Sequence, residues 1–299
     1  MNKKGLLYAF GAYFTWGLFP IYWKYLSHVS ALQLLGHRIL WSFALLLLIL
    51  VFTGQVDSLR RKIFDLKTLR IYSIAAVLIG INWLTYVWAV NAGFIVETSL
   101  GYFINPLISV VLGMIFFKER LRPLQWVPVV LAALGVTYLT ISYGRLPWIA
   151  LTLAFSFGFY GLVKKLAPLS SVHGLTLETG ILLFPAALYL VSSEIAGTAA
   201  FTHTGLGSDI LMIGAGLVTT IPLLMFASAA RRIPLSMIGF MQYLAPTMQF
   251  LIGVFIYKEP FSTQQLIGFS IVWLGLLLFA AESFYNNRNA PVAKTPIQM

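Results

Sequence analysis

Ten long apolar stretches alternate with short polar connections along the chain, at about residues 5–25, 31–54, 70–92, 96–117, 124–142, 147–163, 174–193, 209–230, 234–257 and 263–281. Crossing a hydrocarbon core about 30 Å thick takes a helix of roughly 20 apolar residues, so each stretch is of spanning length. The stretches are continuously apolar: Ala44-Leu45-Leu46-Leu47-Leu48-Ile49-Leu50-Val51 shows no alternation of period two. Helices are predicted rather than barrel strands, because a helix satisfies its backbone polar groups internally. The predicted fold class is an all-α polytopic membrane protein with ten transmembrane helices.

Composition agrees with the pattern. Hydrophobic residues make up 59% of the 299 positions and charged residues 10%, with a mean hydropathy of +0.86, which excludes a soluble protein. Ten spans with short loops also leave no room for a separate soluble domain. Cysteine is absent, which excludes disulfides, thiolate metal sites and cysteine nucleophiles. Lys3-Lys4 before an apolar run imitates a signal peptide, but no small-x-small cleavage pattern follows, so the run is read as the first span.

The formal charge of +11 does not point to nucleic acid, because the basic residues cluster at the ends of spans. With ten spans, 16 of the 20 Lys and Arg residues fall on the side of the N-terminus, among them Lys3, Lys4, Arg60, Arg61, Lys118, Lys164, Lys165, Arg231 and Arg232. The positive-inside rule then predicts cytoplasmic termini. The polar segment 286–299, with Pro291 and Pro296, is predicted to be a disordered cytoplasmic tail.

A shift of 140 residues superposes Pro106 on Pro246, Gly113 on Gly253, Lys118-Glu119 on Lys258-Glu259, Gln125 on Gln265 and Leu134-Gly135 on Leu274-Gly275. In both segments Lys-Glu begins twelve positions after the proline. Each half, 1–143 and 144–285, then holds five spans. An odd number gives the two repeats opposite orientations in the membrane, an architecture of secondary transporters whose substrate site lies near the midplane between the halves.

Several motifs resemble a known family. Ala12-Tyr13-Phe14-Thr15-Trp16-Gly17, His37-Arg38-Ile39-Leu40-Trp41-Ser42-Phe43, Leu100-Gly101-Tyr102-Phe103-Ile104-Asn105-Pro106-Leu107 and Ala154-Phe155-Ser156-Phe157-Gly158-Phe159-Tyr160-Gly161-Leu162-Val163 together resemble the RarD branch of the EamA family, in the drug/metabolite transporter superfamily. The resemblance covers nearly the whole chain and implies a ten-helix carrier of the bacterial inner membrane. Members are often labelled chloramphenicol-sensitivity or resistance permeases, and relatives in the wider superfamily export amino acids and other metabolites.

Charge inside a span is expensive, so Arg38 and Glu178, which are 140 residues apart, stand out. If Ser30 and Ser170 cap their helices, each charge lies eight residues in, about 12 Å from opposite membrane faces. Both are expected to face an interior cavity, Arg38 binding an anionic group and Glu178 a cationic group or a coupling proton; the alternative is a structural role. Glu97, in the first turn of its helix, is read as a dipole cap. Pro106 and Pro246 are expected to kink their helices and free the carbonyls of Tyr102 and Gln242. That makes Tyr102, Asn105, Gln242 and Tyr243 central-site candidates near the midplane. Trp16, Asn82 and Tyr86 add aromatic and amide lining suited to a flat or amphipathic ligand.

The predicted function is a secondary carrier of a small organic solute, such as an amino acid, metabolite or amphenicol-like drug, working by alternating access. Its expected partners are that solute and membrane lipids, and a homodimer is left open. A solute sensor or a channel is the alternative. An enzyme is disfavoured, since Ala154-Phe155-Ser156-Phe157-Gly158 only approaches a nucleophile elbow. The histidines His28, His37, His173 and His203 have no metal-ligand spacing, and no nucleotide-binding motif is present, so no metal and no cofactor is predicted.

Overall fold

A computed structural model describes residues 2–63, 65–92, 94–142, 146–258 and 262–289. Among them the chain is all helix and turn: α1 (Lys3–Gly17), α2 (Phe19–Tyr25), α3 (Ala31–Phe52), α4 (Val56–Ile63), α5 (Leu66–Asn91), α6 (Ile95–Phe117), α7 (Trp126–Ser142), α8 (Trp148–Leu166), α9 (Ser171–Ile195), α10 (Leu206–Ala230), α11 (Leu235–Gln242), α12 (Leu244–Leu251) and α13 (Thr263–Asn289). Eight helical stretches among the described residues are long and apolar enough to cross a membrane. The protein is an all-α polytopic membrane protein.

Local chemistry sets the helix ends. The side chains of Asn2, Ser30 and Ser170 accept from Gly5 N, Gln33 N and His173 N, each taking up a first-turn amide that has no partner within its helix. Lys118 and Lys258 close their segments in the left-handed region, at φ 52° and 56°. The two lysines are 140 residues apart in the chain.

The first expected span is not one helix. Pro20 removes an amide and presses on the carbonyl four residues back, and the chain breaks at Leu18 into α1 and α2. The ninth breaks at Tyr243, between α11 and α12, and runs on into a π-helical turn at Ile252–Ile256. Pro246 thus lies in the first turn of a new helix, whereas Pro106 sits inside a continuous α6. The expected disordered tail begins too early: α13 continues to Asn289, with no proline between Thr263 and Asn289, and residues 290–299 lie outside the described residues.

Helices α1–α6 and α8–α12 form one compact unit, and α7 with α13 forms a second, so the units cut across the boundary expected at residue 143. In the larger unit α3 packs on α9 and α10, α5 on α8 and α9, α6 on α8 and α11, and α1 on α10 and α12. Close approach depends on small residues. A Cβ on Gly216 of α10 would come within 2.5 Å of the Trp41 carbonyl carbon in α3, closer than packed atoms allow. The core of this unit is apolar and aromatic, with Tyr13, Phe157, Tyr160 and Phe226 stacked edge to face and side by side.

Candidate functional site

Inside the larger unit the helices line a cavity of about 700 Å³, its open mouth included. Seven of the expected site residues line it: Trp16, Arg38, Asn82, Tyr86, Tyr102, Asn105 and Gln242. Pro246 lines it as well.

Arg38 dominates the cavity. It lies two turns into α3 and is 3% exposed, with Nε donating to Thr219 Oγ1 of α10 at 3.1 Å. The indoles of Trp23 and Trp83 flank its guanidinium, with ring centroids 4.9 and 4.8 Å from Cζ. Those faces compensate part of the lost hydration through their π-electrons without supplying a counter-charge. Neither Nη has a protein partner among the described residues, and no carboxylate stands in the described lining. The rings of Tyr86 and Tyr102 meet edge on, 5.6 Å apart, in the same wall.

The amides divide into anchored and unpartnered atoms. Asn82 Nδ2 donates to Leu153 O and Ser156 Oγ, both at 3.0 Å, which holds its side chain against α8. Ser156 itself donates to Leu153 O, so the serine of the near-miss elbow is engaged in helix contacts. Gln242 Nε2 donates to Ser109 Oγ at 3.1 Å. Gln242 Oε1 and Asn105 Oδ1 are buried and have no partner. A buried unpaired acceptor costs free energy, and a ligand that donates to it recovers that cost.

Two candidates lie elsewhere. Glu178 is not in the described lining. Its Oε1 accepts from Lys164 Nζ at 2.6 Å and its Oε2 from Tyr160 Oη at 2.9 Å, in a pocket where the carboxylate is 0% and the lysine 3% exposed. Lys164 points inward because a carboxylate stands opposite it and the rings of Tyr72 and Tyr160 lie 5.6 and 5.7 Å from its ammonium. The residue expected to bind a cation or a coupling proton is thus paired with Lys164, outside the described lining of this cavity. Tyr243 also turns away from the cavity, its ring 6.0 Å from that of Phe103. It follows Gln242 by one residue, and successive helical side chains diverge by about 100°. The side chain of Glu97 lies outside the described residues.

Sequence reasoning missed Tyr13, Phe19, Trp83, Phe157, Thr219 and Gln249, all of which line the cavity. Gln249 has a second role: its Nε2 donates to Trp16 O at 3.0 Å, the carbonyl four residues before Pro20. The proline that divides α1 from α2 thus leaves an acceptor that a side chain of α12 takes up. Spacing could have found Gln249, since Gln242, Ala245, Pro246 and Gln249 keep i, i+3, i+4, i+7 spacing across the break at Tyr243 and all four line the cavity.

The EamA-like transporter family matches residues 3–141. The uncharacterized transporter YojE of Bacillus subtilis is 48% identical over 93% of this chain and 94% of its own. The chain belongs to the EamA-like transporter family. Within the family it falls in the RarD branch: the protein RarD of Escherichia coli is 42% identical over 96% of this chain and 97% of its own. The chloramphenicol-sensitive protein RarD of Pseudomonas aeruginosa is 28% identical over 95% of each chain. A solved crystal structure with 17% sequence identity superposes on this RarD-branch fold with a TM-score of 0.69, covering 93% of this chain and 98% of its own. Relatives along the full length are named as transporters, and the protein is a membrane transporter.

Proposed function

We propose that the protein is a secondary carrier of a small organic solute that works by alternating access, with ten spans in two inverted five-helix halves. The cavity carries this reading, because both halves supply its wall: Arg38 and Tyr102 from the first, Thr219 and Gln242 from the second. Helix packing supports the symmetry. Exchanging the halves turns the α1–α10 contact into α8–α5, α3–α10 into α9–α5 and α6–α8 into α12–α1. The same exchange leaves α3–α9, α6–α11 and α7–α13 unchanged. Two such halves can rock about a site held between them. The bias of basic residues toward one side supports cytoplasmic termini in a bacterial inner membrane. Amino acids, other metabolites and amphenicol-like drugs are the solutes to screen, the last because of the name of the Pseudomonas aeruginosa relative.

The natural absence of cysteine makes a direct test simple. A single Thr219→Cys variant in vesicles of either orientation is treated with a membrane-impermeant maleimide. A carrier exposes the position to each side in turn, and a bound solute that favours one state slows labelling from the other side. Labelling at the same rate from both sides, indifferent to any solute, would instead describe a channel.

A further inference from the structure

We infer that the cavity selects an organic monoanion: a carboxylate on a flat apolar body that also carries an uncharged N–H donor. This rests on the carrier reading and names the class of solute moved.

Charge is the first argument. Arg38 is the charged side chain of the described lining, and its Nη groups have no protein partner among the described residues. The carboxylate that the sequence suggested as its complement, Glu178, is consumed by Lys164. The described lining therefore carries one uncompensated positive charge. A monoanion brings the filled cavity to neutrality, a zwitterion leaves it at plus one, and a cation places two like charges in a low-dielectric space. A carboxylate also fits the guanidinium geometrically, since the planar fork can donate two parallel hydrogen bonds to it.

The neutral polar groups give the second argument. Asn105 Oδ1 and Gln242 Oε1 are unpaired acceptors without formal charge. They suit the N–H of an amide or anilide, which needs an acceptor and no counter-ion. An ammonium group would bring a full charge that no described lining residue offsets. The remaining wall, with Trp16, Phe19, Trp83 and Phe157, offers aromatic faces for a flat body.

Three probes that share a benzamide N–H test the inference: N-benzoylglycine, an anion at neutral pH, its uncharged methyl ester, and the cation N-(2-aminoethyl)benzamide. Binding to the purified full-length protein is measured by calorimetry, and uptake by proteoliposomes holding the same protein. N-benzoylglycine is expected to bind at least tenfold more tightly than the other two. In Arg38→Gln that preference should shrink to within twofold while the ester keeps its affinity. Gln242→Leu, which leaves the guanidinium in place, should weaken all three probes alike, so the inference can be tested even if Arg38→Gln fails to fold. Equal affinity for ester and anion, tighter binding of the cation, or no binding by any probe would overturn it. If the anion binds with this preference but is never taken up, the carrier reading fails and the ligand class stands. Saturable uptake of the ester or the cation, with no binding of the anion, leaves the carrier reading standing and removes the inference.

Discussion

Arg38 of α3 donates through Nε to the hydroxyl of Thr219 in α10, at 3.1 Å, so the cationic group of the cavity is held in place by a side chain 181 residues away. The guanidinium so held lines the cavity. Arg38→Ala is expected to abolish uptake of N-benzoylglycine by proteoliposomes while the thermal unfolding midpoint in detergent stays close to that of the parent. Thr219→Val removes the acceptor at almost constant volume. A hydrogen bond to a charged group is worth about 1.5–3 kcal/mol, so Thr219→Val should lower the unfolding midpoint and weaken binding of the anion by calorimetry.

The Lys164–Glu178 bond behaves differently, since neither side chain is in the described lining. Lys164→Met leaves a buried carboxylate without its cation, and Glu178→Ala leaves a buried ammonium, each at a cost of about 3–5 kcal/mol. Both single variants should unfold at markedly lower temperature. The double variant Lys164→Met, Glu178→Leu should recover most of the loss, because exchanging a whole buried pair for apolar groups is often neutral. A Glu178→Ala protein of unchanged stability that lost only its response to a pH gradient would return the carboxylate to the transport cycle.

Two glycines of α10 should respond oppositely to alanine. At Gly216 the new Cβ meets the backbone of Trp41 and Ser42 at 2.5 and 2.8 Å, and neither can move without shifting α3. Gly216→Ala is expected to destabilise by about 1–3 kcal/mol. At Gly207 the Cβ meets nothing within 4 Å, so Gly207→Ala should be neutral or stabilising by up to about 1 kcal/mol. Unfolding midpoints of the two variants, measured side by side, decide the point.

Glu119, beyond the end of α6, accepts from Leu235 N at 2.8 Å and from Lys165 Nζ at 3.2 Å, while Lys165 also donates to Ile233 O at 3.1 Å. This clamp ties the start of α11 to the ends of α6 and α8, about 25 Å along the chain direction from Tyr102. Glu119→Gln weakens it. A cysteine introduced as Ile238→Cys, at a position that is 0% exposed, should then be modified several-fold faster by an impermeant maleimide from the side of the clamp. An unchanged labelling rate would show that the clamp does not hold that end closed.

Much of the fold was legible because spanning helices announce themselves by length and apolarity, and because Ser30 and Ser170 cap where a serine ahead of an apolar run should. The site was legible where its chemistry is rare. An arginine or an amide inside an apolar stretch has few benign explanations, and Arg38, Asn82, Asn105 and Gln242 all reach the cavity. Aromatic residues carry no such signal in a chain with 23 Phe, 14 Tyr and 8 Trp, so Tyr13, Phe19 and Phe157 could not be told from core. The pairing of Glu178 was not legible for a related reason. Its partner Lys164 stands in the last turn of α8, where a lysine ordinarily marks a loop, and nothing local shows that it turns inward.

The bond between Lys164 and Glu178 also bears on how the chain enters the bilayer. Placed alone near the centre of a spanning helix, a lysine or an acidic side chain costs about 2.5–3.5 kcal/mol to insert. Glu178 lies eight residues into α9, and Lys164, in the last turn of α8, reaches it across a connection of only Ala167–Ser170. Leaving the translocon as a hairpin lets the two charges neutralise each other before either meets lipid. The ion pair is thus expected to act as an assembly instruction, since α9, with its buried carboxylate, enters the membrane more readily beside α8 than alone.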